Sequence, residues 1–192
     1  SEEIAKYCKS ENIPYAYTSS NHLTGTDRIS EVAKSFNYDL YVNIQGDEPI
    51  ISPKAIDDLF ESYKKLKNEF SVFNMYKKIT NPSEIKSDTI IKVAVNKFNE
   101  LLYMSRYAIP FSKQLNKDKA YFKQVCIYAY TIDALKDFSS NQKTYNESFE
   151  DIEVLRFLEL GYKVKMIQTD YDSISVDIES DIHKVEKFLI SS

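Results

Sequence analysis

Apolar residues along this chain fall into two rhythms, one of helical spacing and one of short runs flanked by polar turns. Residues 2–11 read as a helix, and residues 27–36 set Ile29, Val32, Ala33 and Phe36 on one helical face. In SPKAIDDLFESYKKL, Ser52 is predicted as the N-cap and Pro53 as the first helical residue, where a missing N–H breaks no helical bond. Ala55, Ile56, Leu59, Phe60, Tyr63 and Leu66 follow at helical intervals. Residues 147–160 predict a helix that buries Phe149, Ile152, Leu155 and Leu158 and stops at Gly161 in a left-handed cap. A last helix is expected over 180–190.

Strands are expected over 14–18, over 39–44 with Leu40, Val42 and Ile44, and then over 70–77, 90–96 and 100–104. Residues 121–130, rich in Tyr and β-branched residues, predict a longer strand. A strand over 162–168 and an extended piece ending at Val176 complete the set. The polar stretch 112–120 reads as a loop. Strands that alternate with helices and then cluster together predict a three-layer α/β domain over residues 1–192 with a mixed, mainly parallel sheet. In open sheets of this kind ligands sit beyond the carboxyl ends of strands. NIQGDEP, residues 43–49, stands at such an end, and Gly46 is expected to supply a bend unavailable to other residues.

Composition narrows the classes. The chain has 192 residues, 43% hydrophobic and 28% charged, with a formal net charge of −4. That balance excludes a general nucleic-acid or acidic-membrane binder, which needs a basic face. Two cysteines, Cys8 and Cys126, form no disulfide framework and read as buried thiols. Two histidines exclude a His-based metal site. No apolar run approaches the roughly 18 residues of a membrane span, so a cytoplasmic, reduced protein is expected.

Asp47 follows one apolar run, and Asp177 follows another, SISV, 130 residues on and just before a helix. Carboxylates in that setting suit Mg²⁺, a hard ion that takes oxygen ligands and shares them with phosphates. Both also fit as turn formers or caps. In NHLTGTDRISEV, the groups His22, Thr24 and Gly25 precede a helix whose N–H groups could meet an anion, or serve only capping. Arg106 lies among strand-like residues, as a surface charge or as part of a site. Glu147, Glu150 and Glu153 step by three along one expected helix, as a solvated ridge with one member able to face a cleft. His183 lies on a polar helix face and receives no role.

HLTGTDRISEVA, NIQGDEPIISP, LYMSRYAIPF, KQVCIYAY, EDIEVLRFLELG and SVDIESD together resemble, in order and spacing, motifs of the CMP-Kdo synthetases, the 3-deoxy-manno-octulosonate cytidylyltransferases. The resemblance spans nearly the whole chain. It implies a nucleotide-diphosphosugar-transferase-like fold that joins CTP to an acidic keto-sugar and releases pyrophosphate for lipopolysaccharide or capsule synthesis. It further implies Asp47 and Asp177 as Mg²⁺ ligands, and Gln45, Arg106, Gln124, Tyr128 and Glu153 as sugar-binding residues. His22, Thr24 and Gly25 match the segment beside the nucleotide, and a homodimer is implied.

Three departures stand out. The family's His and Gly in H-I-G-I-Y fall on Gln124 and Cys126, and the Gln of E-Q-L-R falls on Val154. Two sugar-facing positions are thereby expected to differ, which opens the alternative of a modified 3-deoxy-octulosonate or another keto-sugar acid. The family's opening strand and Gly/Arg/Lys loop have no counterpart here, so an N-terminally incomplete fold is expected, inactive without that segment. The remaining alternatives are a non-catalytic binding or dimerisation module and a receiver-like phospho-acceptor, the latter disfavoured because its acidic cluster and strand-end lysine are missing.

Overall fold

The computed structural model describes residues 1–113, 120–171, 174–176 and 178–191. Six strands form one sheet: β1 (Tyr41–Ile44), β2 (Val72–Lys78), β3 (Lys92–Val95), β4 (Leu101–Ser105), β5 (Phe122–Tyr130) and β6 (Val164–Gln168). The order is β4-β3-β5-β2-β6, with β1 also paired to β5. Only β2 and β6 form a parallel ladder; the other pairings are antiparallel. The sheet is mixed, as expected, but "mainly parallel" holds only for strand direction. β1, β2, β3 and β6 run one way, and β5 lies between them running the other.

The eight described helices are α1 (Glu2–Ser10), α2 (Gly25–Ala33), α3 (Pro53–Leu66), α4 (Pro82–Lys86), α5 (Ile132–Ser140), α6 (Tyr145–Glu150), α7 (Val154–Glu159) and α8 (Glu179–Ser191). The period-two alternation of β5 divides the core between two faces. Tyr128 and Tyr130 pack with Ala33 of α2, Leu135 and Phe138 of α5, and Leu155 and Phe157 of α7. Val125, Ile127 and Ala129 pack on the other face with Ala55 and Leu59 of α3. Each such large apolar side chain, once fully buried, contributes about 1.5–3 kcal/mol.

Several expectations are corrected. Residues 14–18 form no strand, because no neighbouring strand among the described residues pairs with them. α2 ends at Ala33, leaving Phe36 exposed and stacked on Tyr38. Ser52 is the N-cap position of α3 with Pro53 inside the first turn, yet its hydroxyl makes no cap bond. α4 and α5 were not expected, although Asn81 before Pro82 and Thr131 three residues before Ala134 are ordinary N-cap signals. Most of the loop expected over 112–120 lies outside the described residues.

The helix expected over 147–160 is two helices. Asp151 caps α6 in the left-handed region at φ 52, and the chain restarts as α7. Phe149 is therefore exposed, not inward. The three glutamates no longer share a ridge, and each goes to a different partner. Glu147 is wholly buried against Arg156 of α7, with two bonds of 2.6 Å. The same guanidinium donates to the Phe138 and Asn141 carbonyls and lies 3.7 Å from the Phe138 ring centroid. A charge this deep is tolerable only because its donors and Glu147 both find partners.

Gly161 takes φ +86 just after α7. Its N–H donates to Leu158 C=O at 3.0 Å, and Tyr162 N–H donates to Phe157 C=O at 2.9 Å. The expected left-handed stop is present. Gly46 is different: its φ lies outside the left-handed region, and an added Cβ would meet nothing within 4 Å. The bend assigned to it from sequence does not need glycine.

Two stability predictions follow from these geometries. Arg156→Met leaves the buried Glu147 carboxylate without its cationic partner and should cost about 3–5 kcal/mol in urea unfolding, while adding Glu147→Leu should restore at least half. Equal losses in the single and double variants would contradict the pairing argument. Gly161→Ala should cost about 1–2 kcal/mol, and Gly46→Ala should fall within about 0.5 kcal/mol of the parent. Equal costs at the two glycines would show that Gly46 is held in a backbone shape other than the one described.

Candidate active site

β1 and β3 share one edge of β5, opposite β2. β1 reaches Ile127 and β3 begins at Lys123, so residues 124–126 have no partner strand on that edge. Gln124 N–H instead donates to Ile91 C=O at 2.9 Å. At this gap lies a cavity of about 800 Å³, bounded by the end of β1, the loop before β3, Arg106 after β4, and the segment leading into α8.

Gln45 and Asp47 both line the cavity, as expected from the strand-end position. Glu48 turns inward and is buried, while Asp47 is exposed. Val176 N–H donates to Asp47 C=O at 2.8 Å. The segment 174–176 is thus tied to NIQGDEP across the full sequence separation on which the Asp47–Asp177 pairing was based. Asp177 itself lies outside the described residues.

Arg106 is brought to the same cavity. Its Nε donates to Glu150 C=O at 2.7 Å, and its terminal nitrogens donate to Asp88 C=O at 3.1 Å and Asp151 C=O at 3.2 Å. Neutral carbonyls fix the guanidinium in place without cancelling its charge. Glu150 also accepts the Arg106 backbone N–H at 2.9 Å. Behind it, Lys92 is fully buried and donates to the Ser87 and Ile90 carbonyls at 2.6 Å each and to Arg106 C=O. Desolvation holds its pKa below the ordinary lysine value. This ammonium ties the loop before β3 to the residue that carries the site's guanidinium.

On β5, Lys123 pairs with Glu84 of α4 at 3.1 Å, and both border the cavity. Cys126 is half-buried there, its thiol pushed up to about 12 by desolvation and by neighbouring Glu48. It is a protonated wall residue, not a nucleophile. Gln124 is buried on the same wall, and its Nε2 donates to Asn74 Oδ1 at 3.0 Å.

The remaining expected site residues are directed elsewhere. Glu153 does not line the cavity. Its Oε1 accepts Gly25 N–H at 3.1 Å, and its Oε2 accepts Thr26 N–H at 3.0 Å and the Thr26 hydroxyl at 2.5 Å. It is the anion at the N-terminus of α2, a position favoured by the helix dipole. The N–H of Gly25, expected to meet a ligand anion, is therefore committed within the protein. Thr24 caps α2 through Asp27 N–H, and His22 Nε2 is paired with Glu31. Tyr128 is buried in the core, its hydroxyl held well above the usual tyrosine pKa by desolvation. Val154 is also core, so of the two departures expected to face sugar, only Gln124 borders the cavity.

Sequence reading did not single out Asn74, Lys92, Lys123 with Glu84, or Asp181 at the cavity edge. Asn74 and Lys92 carried a usable signal: each is a polar residue inside an otherwise apolar strand run, where it must find a partner or be expelled.

A sequence profile described as Cytidylyltransferase matches residues 1–171. The chain is 36% identical over 193 residues to a 3-deoxy-manno-octulosonate cytidylyltransferase of Solibacter usitatus (strain Ellin6076), covering 100% of this chain and 75% of that protein. A protein of the same description from Fusobacterium nucleatum subsp. nucleatum is 38% identical over 173 residues, covering 90% of this chain and 70% of its own length. Among solved structures, a CMP:2-keto-3-deoxy-manno-octonic acid synthetase complexed with CTP matches with TM-score 0.91 at 27% identity, covering 100% of this chain and 78% of that one. An inositol-1-phosphate CTP transferase from T. maritima shares the fold, with TM-score 0.69 at 15% identity over 99% of this chain and 71% of that one. With its fold and its sequence both matching, the chain belongs to the cytidylyltransferase family that includes the 3-deoxy-manno-octulosonate cytidylyltransferases.

Proposed function

We propose that this chain joins CTP to 3-deoxy-manno-octulosonate, forming the CMP-sugar and pyrophosphate. The anomeric hydroxyl oxygen of the sugar forms a bond to the α-phosphorus, the bond from that phosphorus to the bridging oxygen breaks, and the hydroxyl proton is lost. The observation that carries this reading is the cavity in which Asp47 and the segment 174–176 face a guanidinium fixed by neutral carbonyls. An acidic sugar needs a cation for its carboxylate, and Arg106 offers one already oriented and needing no ordering on binding. Gln45 stands two residues before Asp47 on the same wall, within the stretch that would meet both substrates.

Mg²⁺ belongs to the proposal. The Asp47 carboxylate is exposed at the cavity and hydrogen-bonds no protein group among the described residues, and a hard carboxylate oxygen is the donor this ion takes. Asp47 and Asp177 would hold it. When bound, it supplies positive charge against the triphosphate that a chain of net charge −4 lacks overall. Among the described residues no three His, Cys, Asp or Glu side chains gather into a metal cluster without substrate. The proposal extends to a cytoplasmic homodimer serving lipopolysaccharide or capsule synthesis. Among the described residues no helix is long and apolar enough to cross a membrane.

The test is pyrophosphate release from CTP with a panel of sugar acids and Mg²⁺, run on the chain with the family's N-terminal strand and loop supplied. Turnover with 3-deoxy-manno-octulosonate is expected, Asp47→Asn should lower kcat/KM by about a hundred-fold, and Arg106→Lys should raise the sugar KM by about ten-fold. No release with any sugar acid, or an Asp47→Asn variant with full turnover, would contradict the reading.

A further inference from the structure

The β2–β5 ladder shifts register between Asn74 and Met75: Asn74 pairs with Tyr128, whereas Met75 pairs with Val125. At the irregularity two carbonyls of β5 accept from a side chain inside the sheet. Asn74, fully buried, fills the position: its Nδ2 donates to Val125 C=O at 3.1 Å and Ile127 C=O at 2.8 Å. Both amide hydrogens are therefore used, which fixes which end of the Asn74 carboxamide is oxygen. Turning it over would set its oxygen against two carbonyl oxygens. Its Oδ1 is left as an acceptor, and the group beside it is Gln124 Nε2 at 3.0 Å. Gln124 must donate there, so its own carboxamide is also fixed, with Oε1 on the far side.

That oxygen is the one buried side-chain polar atom without a hydrogen-bond partner among the described residues. Gln124 is 9% exposed and forms part of the cavity wall. A buried acceptor left unpaired costs about 1–3 kcal/mol, and proteins retain such atoms where something else completes them. We infer that Gln124 Oε1 is completed by a hydrogen-bond donor of the bound sugar acid, a hydroxyl or an amino group, and that Asn74 is the positioning residue that imposes this polarity. The inference rests on the proposed function and deepens it. At this point of the cavity the enzyme selects a sugar that donates and rejects one that lacks the hydrogen or presents an acceptor, because two like acceptors would then face each other.

The chain of bonds also separates the two residues' roles. Gln124 touches the sugar. The Asn74 side chain hydrogen-bonds only the β5 carbonyls and Gln124, so its influence on the sugar passes through the amide it orients.

The experiment measures kcat and both KM values with 3-deoxy-manno-octulosonate and its single-position deoxy analogues. Parent, Gln124→Met, Asn74→Ala and the double variant are compared. The parent should lose about ten-fold in kcat/KM on the analogue that lacks the donor, and Gln124→Met should no longer distinguish that analogue from the full sugar. The sugar KM should rise about ten-fold in Gln124→Met with the CTP KM unmoved, and Asn74→Ala should add nothing to it in the Gln124→Met background. If Asn74→Ala does not fold, the analogue panel on Gln124→Met decides alone. Turnover in which Gln124→Met discriminates every analogue as the parent does would overturn this inference and leave the proposed function standing. Absence of turnover with every sugar acid would overturn both.

Discussion

The two carbonyls that the β2–β5 irregularity leaves inside the sheet are the constraint around which this domain is arranged. β5 and β2 are each bonded on both edges and packed on both faces, so a defect in the ladder between them has no water to repair it. Asn74 repairs it from within the sheet. The repair lets β5 keep two core faces and still pass an unpaired stretch between β1 and β3. That stretch is the floor of the cavity, so the polar group that mends the core also sets the chemistry of the wall.

The charges of the molecule divide into two sets by the face of the sheet they serve. On the α2, α5 and α7 face, Glu147, Arg156 and Glu153 bind elements to one another: α6 to α7 and α5 through the guanidinium, and α7 to the start of α2 through Glu153. These groups are engaged within the protein, away from the cavity. On the cavity side, Asp47 and Arg106 are held by their backbone surroundings; among the described residues the Asp47 carboxylate has no hydrogen-bond partner and the Arg106 guanidinium is bonded only to neutral carbonyls. Charge held by neutral partners keeps its field, and field is what a doubly anionic pair of substrates requires.

Much of this was legible in the sequence, and the exceptions have physical causes. The apolar periodicities located all six strands and six of the eight described helices in some form, α6 and α7 as one, because burial on one face forces the pattern. It misread 14–18, since a strand needs a neighbour that local sequence does not supply. It joined α6 to α7, since nothing in residues 147–160 announces that Asp151 turns left-handed. NIQGDEP and the segment before Asp177 were correctly read as neighbours, and the bond from Val176 to Asp47 carries that out. Gly46 was over-read: its identity suggested a backbone strain that its φ does not have. The motif implies Glu153 at the sugar; the structure shows its carboxylate on the N-terminus of α2, a partner that only the fold brings near. Asn74 was passed over because a single polar residue in a strand has meaning only once its cross-strand neighbours are known.

The most direct measurement is a crystal structure of the protein with CTP, Mg²⁺ and the sugar acid captured in the cavity. The account predicts the sugar carboxylate on the Arg106 guanidinium, a sugar hydroxyl or amino group within hydrogen-bond distance of Gln124 Oε1, and the Asn74–Gln124 bond intact. A sugar bound away from this wall, or a Gln124 amide turned over with its nitrogen toward the ligand, would contradict it.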